Sequence, residues 1–110
     1  MAPDGRYARA ITDRVSDRVQ VAVRSDFDST SVEVVLNRLT ELDLPFIESD
    51  EGRERVQAAI VLIARGRYED FERAAALAET DWRDVLVAAG LANGDWPERL
   101  DDKLGKTQPP

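Results

Sequence analysis

Histidine and cysteine are both absent from this 110-residue chain. Without them there is no imidazole to move protons near neutral pH, no thiol nucleophile, and neither of the ligands that structural zinc sites rely on. Catalysis, if present, would fall to an Asp, Glu, Tyr or Arg tuned by its surroundings. A metal site would have to be all-oxygen and of the hard-cation type. Disulfides are excluded, which fits a reducing cytoplasm.

Lysine is nearly missing, with two lysines against thirteen arginines, and the 15 basic residues are outnumbered by 22 acidic ones for a net charge of -7. The arginines are scattered and usually stand beside an acid, as in Asp13-Arg14, Asp17-Arg18 and Glu54-Arg55. A domain with that balance is repelled by phosphate backbones and anionic lipid unless its basic residues cluster, and no cluster occurs in the sequence. Neither a nucleic-acid nor a membrane partner is expected. Long hydrophobic runs are also missing. The longest, Ala58 to Ala64, falls far short of the roughly 20 residues that span a bilayer. The start, Met1-Ala2-Pro3-Asp4-Gly5-Arg6, lacks the apolar core of a signal peptide, so a cytoplasmic protein is expected. Glycines stand singly after helical patterns and never form a phosphate-binding loop. Abundant Ala, Arg and Asp with little Lys suggest a high-GC bacterial genome.

What is present is a series of helical patterns. Tyr7, Ile11, Val15 and Val19 recur every four residues and predict a first helix from about Asp4 to Arg24. Its end is open between helix and strand, because Val19 to Val23 alternates with a period of two. Thr30 three residues before Glu33 reads as a capping box. Behind it Val32, Val35, Leu36, Leu39 and Leu42 make the cleanest amphipathic stripe, which Pro45 is expected to stop. Phe46 and Ile47 are expected to plug the core from a connector. Ser49 caps a third helix, with Asp50 and Glu51 against its positive end. Its second half, Ala58 to Ala64, is apolar all round and predicts a central, enclosed helix with Gly66 at its C′ position. Shorter helices follow over Tyr68 to Glu79, from a Thr80 or Asp81 cap through Ala89 to Gly90, and from Asp95 through Leu104 to Gly105. The expected fold is all-α: one domain over 1–105, five to six helices around the central apolar helix, with a disordered tail over 106–110.

Several motifs have dull explanations that suffice. Asp81-Trp82 and Asp95-Trp96 each pair an acidic cap with a large side chain that packs the first turn. Glu48, Asp50 and Glu51, and separately Glu69, Asp70 and Glu72, lack calcium-loop spacing and read as helix-start charge with pairs such as Glu51–Arg55 and Glu69–Arg73. Phe71 to Leu91 can be drawn as a helix-turn-helix, but its second helix opens Asp81-Trp82-Arg83-Asp84, too acidic for a DNA groove. Gly66, Tyr68 and Ala78 fit half of a tetratricopeptide repeat, and no second copy follows.

The segment Glu79-Thr80-Asp81-Trp82-Arg83-Asp84-Val85-Leu86-Val87-Ala88-Ala89-Gly90-Leu91-Ala92, with Asp95-Trp96-Pro97, is similar to the C-terminal signature of short, uncharacterised all-helical proteins of high-GC bacteria. The likeness runs from Arg53 through Gly105. It implies a helical fold and carries no activity, so no catalytic residue transfers.

The expectation from sequence is therefore a small protein-binding or regulatory module with no catalytic, cofactor or metal residues. Its partner is another protein or a second copy, with Val34, Val87 and Trp96 as candidate interaction surface and Val21 as a further apolar residue outside the main stripes. Two alternatives stay open: a carboxylate-based enzyme or metal-binding protein, and an acidic antitoxin- or immunity-like partner.

Overall fold

Three helices begin where a side-chain oxygen accepts an otherwise unpaired backbone N–H. Ser16 accepts from Val19 at 3.4 Å ahead of α1 (Asp17–Asp26), Asp28 from Ser31 at 3.0 Å ahead of α2 (Ser29–Thr40), and Ser49 from Gly52 at 3.0 Å ahead of α3 (Asp50–Ala64). The chain continues through α4 (Tyr68–Ala89) and α5 (Trp96–Leu104). The computed structural model describes residues 14–106, and no strand occurs among them. Their fold is an all-helical bundle.

The first helix departs from the sequence reading at both ends. Ser16 is extended and caps α1, so the pattern from Asp4 is interrupted there, and helix continues past Arg24 to Asp26. Residues 4–13, with Tyr7 and Ile11, lie outside the described residues, as does the expected tail beyond Lys106. The period-two stretch at 19–23 is helical. Val19 and Val23, four apart, are buried, and Val21 points outward. On α2 the cap is Asp28 rather than Thr30. Thr30 instead donates its hydroxyl to Asp28 at 2.6 Å, tying up the side chain that the capping box needed.

α2 stops at Thr40, well before Pro45. The reason is long-range. Its last carbonyls are taken by side chains from elsewhere, Gln57 donating to Leu39 and Arg53 to Thr40, each at 3.2 Å, and Arg53 also donates to Leu42, just past the helix, at 2.9 Å. Cations are favoured at this negative helix end. Burial pushes the Arg53 guanidinium below its ordinary range, and Arg14 nearby adds to that.

α3 is the centre, as its composition predicts. Val56 through Val61 are buried without a break, so that stretch is enclosed on every side. Two details differ from an all-apolar rod. Gln57 is fully buried, and its amide also donates to Arg14 O at 2.8 Å. Leu62 and Ile63 are half-buried at the far end. α4 carries Phe71, Ala74, Ala75 and Ala78 against this core, and Phe71 meets Phe27 edge-on at 5.8 Å. α4 is broken at Asp81 (φ -150°, ψ 87°), where the Asp81 carboxylate accepts from Arg83 N at 3.2 Å. Its two arms are the two short helices expected from sequence. Gly90 ends the second arm at φ 76°, with Leu91 N bonded to Leu86 O and Gly90 N to Val87 O, the paired closure that favours glycine.

Ion pairs fasten the helices to one another. Arg18 on α1 makes a two-pronged bond to Glu54 on α3, both at 2.8 Å, and reaches Asp101 on α5 at 2.6 Å. Arg38 on α2 pairs in the same way with Glu79 on α4, at 2.8 and 3.1 Å. The local pairs expected from sequence are different in fact. Arg55 turns from Glu51 to Leu91 O at 2.9 Å, and Arg73 pairs with Asp70 at 3.6 Å instead of Glu69.

The Arg18 contact holds the Glu54 carboxyl below its ordinary range. A depressed folded-state pKa means that the unfolded chain binds the proton more readily. The resulting stability is complete above the unfolded value of about 4.3 and is lost as pH falls through the lower folded value. Thermal melts across this acid range should therefore show a falling melting temperature, with a shallower fall for Glu54→Gln. Equal acid slopes would separate Glu54 from acid stability.

Candidate interaction surface

The connector from α2 to α3 is held at several points. Glu79, already bound to Arg38, accepts from Asp43 N at 2.9 Å, and Arg53 grips Leu42 O. Leu42 and Leu44 are buried, and Ile47 is half-buried against the core. Ile47 N donates to Leu44 O at 3.0 Å, closing a four-residue turn with Pro45 and Phe46 at its tip.

That turn reverses one expectation. Phe46 does not plug the core; it is 84% exposed. The flanking Leu44 and Ile47 face inward as anchors, and the two central residues of a tight turn project away from them. An apolar connector residue reads as buried because the anchor and the tip are equally hydrophobic. The available signal is Pro45, which favours the second position of a turn and so makes Phe46 the third.

Beside the turn lies the break in α4. Trp82 follows Asp81, is half-buried against the core, and has the Arg83 guanidinium 5.4 Å from its ring. Phe46 and Trp82 both line two adjoining depressions of about 220 Å³ each. One continues to Pro45, Leu44 and Ala78, the other to Ile47, Val56 and Leu86. Asp43, Glu79 and Asp81 edge the first, and Glu48 and Arg55 the second. An apolar centre with a charged border is the usual anatomy of a protein-contact patch.

The candidates read from sequence are dispersed. Val34 is 50% exposed on α2, and Val87 is 66% exposed on α4. Trp96, on α5, is half-buried against the core with the Arg55 guanidinium 4.9 Å over its ring. None of the three lines the Phe46–Trp82 depressions. Val21 is exposed on α1. Of the second acidic cluster, Glu72 accepts the Tyr68 hydroxyl at 2.8 Å and lies 4.0 Å from the Arg38 guanidinium, and Asp70 meets Arg73. Among the described residues no three carboxylates gather into a metal-sized group. Nor, among those residues, is any helix long and apolar enough to cross a membrane.

Comparison of the chain with family models, with curated proteins and with solved structures finds no match.

Proposed function

We propose that this chain is a cytoplasmic, non-catalytic protein-binding module whose contact surface is centred on Phe46 and Trp82. Exposure of Phe46 at the tip of an anchored turn is the observation that carries this reading. Scattered exposed valines are ordinary on a soluble protein and need no partner. A phenylalanine fixed outside its own core, next to a tryptophan and two depressions, is a different case. Aromatic anchors held rigidly lose little freedom on binding, and they dominate the energy of many interfaces. Net charge of -7 supports a partner with a basic border around an apolar contact, the antitoxin- or immunity-like case among them. Kinship with the short helical proteins of high-GC bacteria belongs to the same proposal and rests on the Glu79–Ala92 segment with Asp95-Trp96-Pro97.

Phe46→Ser tests the reading. The side chain makes little use of the core, so the thermal melt should stay within a degree or two of wild type. Burial of Phe46 against a partner is worth on the order of 2 kcal/mol, which is about 30-fold in affinity. A partner isolated on the wild-type chain should therefore be lost on Phe46→Ser and kept on Val87→Ser. Retention on both variants would move the contact away from this surface.

A further inference from the structure

Most arginines of this molecule are committed. Arg18, Arg38, Arg73 and Arg99 pair with acids, Arg14, Arg53 and Arg55 donate to carbonyls, Arg24 bonds Gln20, and Arg83 lies over Trp82. Among the described residues four cations have no such partner: Arg65, Arg67, Lys103 and Lys106. Three of these four line one cleft.

That cleft, about 1040 Å³, lies where the ends of α1, α3, α4 and α5 meet. Its floor includes Leu62 and Ile63, the half-buried residues of the central helix, with Ala89 beside them. Arg65 and Arg67 flank Gly66 in the turn between α3 and α4, and Lys103 comes from α5. Asp26 and Asp70 stand at the same cleft, and Asp70 is partly neutralised by Arg73 at 3.6 Å. Three free cations from two separate elements, beside the apolar Leu62 and Ile63, stand out because nine arginines among the described residues are internally matched. Arg65 also holds a left-handed backbone (φ 50°, ψ 39°), a conformation in which glycine would be the unstrained choice.

We propose that this cleft binds a small multivalent oxyanion, with its phosphate or carboxylate oxygens on Arg65, Arg67 and Lys103. Its less polar part rests on Leu62 and Ile63, and Asp26 accepts from a hydroxyl or amine of the same molecule. Guanidinium groups suit such oxygens because they offer paired donors in one plane. The site is separate from the Phe46–Trp82 surface and shares none of its lining residues.

The experiment is a titration of the full chain, followed by amide NMR, with pyrophosphate and separately with citrate, against sodium chloride of equal ionic strength. Saturable shifts are expected at Asp26, Arg65, Arg67, Ala89 and Lys103. Response to pyrophosphate alone identifies a phosphate ligand, and to citrate alone a carboxylate one. Arg67→Gln and Lys103→Gln should each weaken binding about threefold to tenfold without lowering the melting temperature. Lys106→Gln, outside the cleft, should change nothing. Arg65→Gly should weaken binding while leaving the fold at least as stable, a split that a purely structural arginine would not show. No saturable shift with either anion, or unchanged binding in the Arg67→Gln/Lys103→Gln double variant, would overturn the proposal.

Discussion

Ile60→Asp should leave the chain unfolded at room temperature. Ile60 sits in the middle of α3 with no exposed surface, inside the unbroken buried stretch from Val56 to Val61. The substitution removes a large apolar side chain and puts a carboxylate inside that enclosed stretch. An unpaired buried charge costs several kcal/mol, and the lost packing adds about 2–4 more. Domains of this size have a total stability of about 5–15 kcal/mol, so most of it is consumed. Circular dichroism should show loss of helix and of a cooperative melt. A soluble variant that melts cooperatively near the wild-type temperature would mean that α3 is not enclosed.

The second large effect belongs to Gly66. Its φ of 80° is left-handed, and a β-carbon built there would lie 2.2 Å from the backbone carbonyl oxygen of Asp26. The conformation alone costs a non-glycine residue roughly 1–2 kcal/mol. The collision adds to it, because the obstacle is main chain at the end of α1 and cannot swing aside. Gly66→Ala should therefore lose about 3 kcal/mol or more, a drop in melting temperature on the order of 15 °C. Gly90 separates the two contributions. Its φ is 76°, and a β-carbon there would meet nothing within 4 Å, so Gly90→Ala should lose only about 1 kcal/mol. Equal losses in the two variants would show that the approach of α1 to the α3–α4 turn is not tight.

The parts of this fold that are legible in the sequence are those governed by neighbours along the chain. Ser49 as a cap, the apolar run of α3, the Asp81 break before Trp82 and the Gly90 stop all depend on residues within one helical turn. Expectation and structure part where distant groups decide. Nothing near Thr40 says that α2 must end there; Gln57 and Arg53 take its carbonyls from 13 to 18 residues away along the chain. The Arg18–Glu54 and Arg38–Glu79 bridges span 36 and 41 residues, whereas sequence reasoning can offer only i,i+4 pairs. At 19–23 two periods compete, and helix wins because Val19 and Val23 share one buried face. Thr30 loses its cap role to Asp28, whose carboxylate accepts from both Ser31 N and the Thr30 hydroxyl.

The proposed interaction surface is legible only in fragments. Trp82 reads as packing, and it is half-buried against the core. Hydropathy places Phe46 in the interior, because it cannot separate a turn's tip from its anchors. The surface exists because the Asp81 break and the Pro45 turn lie side by side, although 36 residues separate them in sequence. No local pattern encodes that adjacency.

Photo-crosslinking from position 46 tests most directly whether Phe46 and Trp82 form the proposed protein-binding surface. A benzophenone analogue of phenylalanine replaces Phe46 in the full chain, inside the cell that makes it, with the same analogue at Val87 as the comparison. Irradiation at position 46 should give one dominant adduct, whose mass identifies either another protein or a second copy of this chain. Position 87 should give none of that mass. No adduct from position 46, or the same mixture of adducts from both positions, would contradict the proposed surface.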